Sequence, residues 1–231
     1  FDQVVSHVVR TPVSTVYGVL KRVLSGALGS VSDQAGAKLD IAVRNIERLM
    51  ALINDLLDLE KLEAGHMPFE LKECDIEPIL QQSVQAVAGV AEQKEVTVSI
   101  HNQFTGKLLC DNDRLVQVLV NLLANAIKFS KAKDTILILA RNMDDAIEFS
   151  VTDQGRGIPA HFCKTIFDRF AQVEVSDARR NTGTGIGLTV CKLIVEAHKG
   201  TIGVESQEGA GSRFWFRIPK EISTTQIEEQ A

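Results

Sequence analysis

Apolar residues near the start of the chain recur every three or four positions. Val5, Val9, Val13, Val16, Leu20, Val23 and Ala27 fall on one narrow stripe at about 100° per residue, which predicts a helix over residues 1–28. Gly26, Gly29 and Ser30 are stop signals. Pro12 lies inside the pattern and lacks an N–H, so a local kink or loosened turn is expected there. A second helix is predicted over residues 32–64, with Ser32 or Asp33 as its N-cap. Leu39, Val43, Ile46, Met50, Ile53 and Leu57 alternate in steps of four and three, and Leu49, Leu52, Leu56 and Leu59 widen the stripe. Stripes this wide exceed what a lone hairpin can bury. A homodimeric four-helix bundle is the simplest solution, and a monomeric hairpin packed on the following domain is the other.

The period changes after Gly65-His66-Met67-Pro68, a helix-breaking run that reads as a linker. Strands are predicted over 69–76, 96–101, 107–110, 135–141, 146–153, 201–205 and 212–218, and helices over 77–93, 111–129 and 188–198. Asn142-Met143-Asp144-Asp145 and Gly209-Ala210-Gly211 are the turn signals between paired strands. The expected organisation is an all-α hairpin over 1–66, a two-layer α/β sandwich over 67–220 and a polar tail over 221–231.

Bulk properties narrow the function classes. The 231 residues carry a net charge of −5 and no Lys/Arg run, which disfavours a general nucleic-acid binder. Cys74, Cys110, Cys163 and Cys191 form no C-x-x-C pair, so they read as reduced thiols of a cytoplasmic protein. No apolar run reaches the length needed to span a bilayer, and no signal peptide opens the chain. The start at Phe1, inside a helical pattern, reads as that of a fragment; a membrane anchor of the whole protein would lie upstream.

Four segments carry candidate chemistry. In Ser6-His7-Val8-Val9-Arg10-Thr11-Pro12, with Val9 at 0° on a helical wheel, His7 falls near about 160° and Thr11 near about 200°. Both point away from the apolar stripe. An exposed imidazole is substantially neutral near pH 7 and can act as a nucleophile. In Asn121-Leu122-Leu123-Ala124-Asn125-Ala126-Ile127-Lys128-Phe129-Ser130, Asn121, Asn125 and Lys128 share one helix face. An amide oxygen can ligate Mg²⁺ and a lysine can meet phosphate. Asp153-Gln154-Gly155-Arg156-Gly157-Ile158-Pro159 ends a strand on a carboxylate followed by spaced glycines, which let backbone approach a planar ligand. Gly183-Thr184-Gly185-Ile186-Gly187-Leu188 opens a helix whose N–H groups suit phosphate, yet it is neither a P-loop nor a Rossmann fingerprint. Taken singly, each segment also has a plain structural reading as surface, helix face or turn. Phe167-Asp168-Arg169-Phe170 and a polar stretch over 172–182 lie between the last two and read as a lid.

In this order, the segments resemble the H-, N-, G1-, F- and G2-boxes of the histidine kinase family. The resemblance implies a dimerisation and histidine-phosphotransfer bundle followed by a Bergerat-type ATP-binding domain. By that resemblance His7 is the phosphoryl acceptor and Thr11 the residue that assists phosphatase action. Asn125 holds Mg²⁺, Lys128 contacts phosphate and Asn121 supports that end of the site. Asp153 reads adenine, with Gly155 and Gly157 shaping its pocket. Phe170, Thr184 and Leu188 belong to the ATP site, and Gly183, Gly185 and Gly187 wrap the phosphates. Arg179 or Arg180 neutralises charge during transfer. The implied partners are a second copy of the chain and the receiver domain of a response regulator.

One position departs from the family pattern. Val8 stands where the family places a carboxylate directly after the histidine. Loss of a general base is worth roughly 10²–10⁴ in rate, so slow autokinase activity is expected. The alternative is a degenerate kinase that binds ATP as a regulatory module or acts mainly as a phosphatase. An ATP hydrolase resembling gyrase would carry a glutamate at the position of Asn121 to activate water, and this chain does not.

Overall fold

The structure, a computed structural model, describes residues 2–171 and 185–220, with side chains from Thr11 onward. The chain divides into two compact units, Phe1–His66 and Met67–Ala231.

The first unit is a helical hairpin of α1 (Asp2–Leu24) and α2 (Asp33–Glu63). Tyr17 on α1 donates its hydroxyl to Glu47 on α2 at 3.0 Å, and Lys21 reaches the same carboxylate at 3.5 Å. Ser32 caps α2, its Oγ accepting the Ala35 N–H at 3.3 Å. Both helices end in the same way. Gly26 at φ 77° and Gly65 at φ 67° reverse the chain in the left-handed region. The following N–H groups fold back, Ala27 to Arg22 O and His66 to Lys61 O. The first cap stops α1 at Leu24, four residues short of the expected end. The helix passes through Pro12 without a break, so α1 tolerates the missing Pro12 N–H. Val16, Val19, Ile41, Leu49 and Leu56 remain 43–50% exposed, so much of the widened apolar stripe finds no cover within this hairpin. Among the described residues no helix is long and apolar enough to cross a membrane.

In the second unit β1 (Lys72–Asp75) pairs antiparallel with β3 (Lys107–Cys110) as a separate ribbon. The main sheet has five strands in the order β2-β4-β5-β7-β6, formed by β2 (Thr97–Asn102), β4 (Thr135–Asn142), β5 (Ala146–Asp153), β6 (Thr201–Ser206) and β7 (Ser212–Pro219). Only β2 and β4 run parallel. Helices α3 (Ile76–Gln93), α4 (Asn112–Phe129) and α5 (Gly187–Ala197) complete the two-layer sandwich. Alternation along the strands sends Ile136, Ile138, Ile147, Phe149, Val151, Phe214, Phe216 and Ile218 into the buried layer. Phe149 and Phe216 are register partners and stack at 4.8 Å, each contributing about 2–3 kcal/mol by burial. On the opposite face of β5, Glu148 is fully buried beneath Arg141, Arg213 and Arg217, whose guanidinium groups all reach its carboxylate. Burial pushes that carboxyl up, but the three arginines outweigh it and hold the group below its ordinary range.

The strand expected over 69–76 shrinks to four residues because its flanks have other partners. Phe69 packs edge-on against His198 at 5.3 Å, the Glu70 N–H goes to Asp111 Oδ2 at 2.9 Å, and Ile76 already belongs to α3. Asp111 is also the N-cap of α4, its Oδ1 accepting the Arg114 N–H at 3.1 Å. Its own N–H donates to His198 Nε2 at 3.0 Å, and His198 Nδ1 donates to Ile194 O at 2.8 Å. That pattern requires a neutral ring with its proton on Nδ1. Helices α4 and α5 therefore run antiparallel, with Asp111 beside His198, Val118 O 3.8 Å from Cys191 Sγ, and Asn121 beside Gly187.

Burial lowers the His198 pKa below its ordinary 6.5. The unfolded chain therefore binds a proton that the folded chain refuses as pH falls through that value. Stability should be fully present above it and decline on acidification. Urea midpoints compared between about pH 7.5 and pH 5.5 should fall for the parent chain and fall less for His198→Gln.

Candidate functional site

Helix α4 is amphipathic along its whole length, with Leu115, Val118, Leu119, Leu122, Leu123, Ala126 and Ile127 buried. Burial of that face turns Asn121, Asn125 and Lys128 to the partly exposed side. The end of the helix is held by Lys94, whose ammonium donates to Ile127 O at 2.6 Å and to Lys128 O. Burial lowers the Lys94 pKa, with Asp134 opposing. The Lys128 ammonium lies 4.8 Å from the Phe129 ring centroid and Arg156 lies 4.6 Å from it, so two cations flank one aromatic ring where α4 ends.

Asp153 closes β5 and is 6% exposed. Its Oδ1 accepts the Gly155 N–H at 2.8 Å, and the backbone N–H of Ser212 also donates to it. Burial pushes the carboxyl upward, while these two donors pull it down. The glycines around it are steric requirements. A Cβ on Gly155 would sit 2.7 Å from Phe129 O, and one on Gly157, at φ 68°, would sit 2.0 Å from Gln207 O. The Asp153 turn is thus clamped between the end of α4 and the turn before β7.

The glycine-rich segment meets both neighbours. Asn121 Nδ2 lies 3.5 Å from Gly187 O. Gly185, at φ 74°, accepts the Phe170 N–H at 2.9 Å, and a Cβ there would meet Phe170 Cα at 2.9 Å. Phe170 is itself left-handed, at φ 60°, and 62% exposed, whereas Phe167 is buried edge-on against Phe214 at 6.3 Å. Leu188 follows in the first turn of α5, half-buried.

Four of the sequence-derived segments are therefore brought together. Asn121 abuts Gly187, Gly155 joins Asp153 to the end of α4, and Phe170 is tied to Gly185. Asn125 and Lys128 share the Asn121 face. His7 lies on the backbone of α1, its side chain outside the described set, and Thr11 lies one turn on, exposed. Arg179, Arg180, Gly183 and Thr184 lie outside the described residues. Sequence reasoning missed Ser212, Phe129 and Arg156. Ser212 is the register partner of Asp153, and strand register has no signature in one sequence.

The residues present fit an adenine nucleotide and a hard cation. A buried carboxylate keeps acceptor capacity, two glycines leave no room for side chains, and an asparagine–lysine helix face offers an oxygen ligand and a cation.

Comparison with known proteins agrees. The family described as histidine kinase-, DNA gyrase B-, and HSP90-like ATPase matches residues 110–222, and the His Kinase A (phospho-acceptor) domain matches residues 2–65. The chain belongs to the histidine kinase family. It is 32% identical to the circadian input-output histidine kinase CikA of Synechococcus elongatus over 99% of this chain and 31% of that protein. It is 31% identical to the sensor protein EvgS of Escherichia coli over 96% of this chain and 19% of that one. The solved structure of full-length ShkA in complex with AMPPNP superposes with a TM-score of 0.79 at 28% identity, covering 96% of this chain and 46% of that one. This histidine kinase chain thus spans about a third or less of the two curated relatives compared.

Gly157 gives a test of the clamp. Gly157→Ala combines a left-handed backbone with a clash against Gln207, so it should destabilise the second unit by about 2 kcal/mol or more, read as a lower urea midpoint.

Proposed function

We propose that this histidine kinase core binds Mg-ATP between α4, the Asp153 turn and the start of α5, phosphorylates itself on His7, and passes the phosphoryl group to an aspartate of a response-regulator receiver. The observation that carries the reading is that α4 meets Gly187 through Asn121 and the turn of the buried Asp153 carboxylate through Phe129, at the two ends of one polar face. Asp153 accepts a hydrogen bond from the adenine amino group, while Gly155 and Gly157 let the ring lie against backbone. The N–H groups around Gly185 and Gly187, at the positive end of α5, face the phosphates. Asn121 steadies that end, and Lys128 adds a cation. Asn125 offers its amide oxygen to a magnesium ion, which neutralises phosphate charge when bound. Phe170, Leu188, Gly183, Thr184 and Arg180 are assigned to the same site by family position.

His7, as neutral imidazole, supplies the lone pair that attacks the γ-phosphorus as the bond to the ADP oxygen breaks. Thr11, one turn along α1, is assigned by family position to assist phosphatase action. The exposed apolar stripe of the hairpin, Val16, Val19, Ile41, Leu49 and Leu56, is covered by the same stripe of a second chain. The match to the His Kinase A (phospho-acceptor) domain supports this partnering.

Three outcomes are expected. Asp153→Ala should weaken ATP binding by at least about 100-fold in calorimetric titration, because the adenine amino group then meets no acceptor; unchanged affinity would remove Asp153 from the site. Incubation with γ-labelled Mg-ATP should give acid-labile label that His7→Ala abolishes. Val8→Glu should raise its rate about 10-fold or more by restoring a carboxylate beside the imidazole. Bound ATP with no label in either background would favour an ATP-binding regulator instead.

A further inference from the structure

The β1–β3 ribbon carries two of the four cysteines. Its register pairs Cys74 with Leu108 and Lys72 with Cys110, so Cys74 and Cys110 are diagonal neighbours on one face. The Cys74 thiol donates to the Cys110 carbonyl oxygen at 3.7 Å, so its sulfur lies against the Cys110 backbone on the face the two residues share. Both are free. They differ in access: Cys74 is half-buried and Cys110 is fully buried.

We propose that Cys74 and Cys110 form an oxidisable pair, closed to a disulfide by a peroxide. Cys74, the accessible sulfur, attacks as thiolate on the peroxide O–O bond, becoming a sulfenic acid while the leaving oxygen takes a proton and departs as water or alcohol. The Cys110 sulfur then attacks the Cys74 sulfur, the S–O bond breaks, and the hydroxyl leaves as water with the Cys110 proton. The two thiols lose two electrons, and the peroxide is reduced by the same two. Burial pushes the Cys110 thiol up strongly, with Cys74 and Asp111 adding to the shift, so Cys110 stays protonated and leaves the first attack to Cys74.

The position gives the crosslink a consequence. Cys110 directly precedes Asp111, which caps α4, receives the Glu70 N–H and donates to His198. A bond from Cys74 to Cys110 therefore fastens the ribbon to the junction that holds α4 against α5. It also closes the chain between residues 74 and 110, which restricts the unfolded state.

The test is treatment of the whole chain with hydrogen peroxide, followed by thiol counting and mapping of crosslinked peptides. The expected result is a fall from four free thiols to two, a Cys74–Cys110 peptide pair that dithiothreitol releases, and a melting temperature several degrees higher in the oxidised form. Cys74→Ser should abolish the crosslink, and a Cys163→Ser, Cys191→Ser chain should keep it. Oxidation confined to Cys163, or Cys74 advancing to sulfinic acid while Cys110 stays reduced, would overturn the proposal. The Cys163→Ser, Cys191→Ser chain decides the matter if Cys110→Ser fails to fold.

Discussion

Asp111 and His198 hold one junction on which the second unit depends. A single backbone N–H, donated to a buried neutral imidazole at 3.0 Å, fastens the start of α4 to the end of α5. The Asp111 carboxylate caps α4 and receives a third segment at Glu70, so one residue organises three pieces of chain. A helix cap of this kind is worth about 1 kcal/mol by itself. The larger effect is geometric. Once the two helices are antiparallel and pinned at one end, Asn121 must face Gly187 some three turns farther along.

That constraint explains why the candidate chemistry collects where it does. The buried layer of the sheet supplies a rigid floor, with Phe149 stacked on Phe216 and Asp153 at the end of the strand that carries Phe149. Left-handed glycines at 157 and 211 let the adjoining turns press against backbone at distances no side chain permits. Asp153 is held by backbone donors and not by a cation, so its oxygen keeps capacity for an incoming donor. On the far face, Glu148 and its three arginines tie β4, β5 and β7 across the sheet, which keeps the Asp153 end of β5 in register.

Much of this was legible in the residue pattern. The 3.6-residue period of α4 and α5 and the β-rich runs of β4 and β7 located those elements to within a residue or two, because such patterns are written locally. The Asn121–Lys128 face and the Asp153 and Gly185 turns were visible for the same reason. Contacts between distant segments were not. The Asp111–His198 bond spans 87 residues, and Ser212 meets Asp153 only through strand register. The strand over 69–76 was overextended because a run of alternating residues does not reveal that Phe69 and Glu70 bond elsewhere. Pro12 was expected to loosen α1, yet the helix assignment continues through it. Proline near the start of a long helix forfeits one bond among many.

The most direct measurement is amide hydrogen exchange of the whole chain with and without a non-hydrolysable ATP analogue and Mg²⁺. If α4, α5 and the Asp153 turn together form the nucleotide site, added protection should concentrate in residues 121–128, 153–157 and 185–188 and leave the outer edge of β2 unchanged. Protection that bypasses all three segments while nucleotide is bound would place the site elsewhere and contradict the assignment.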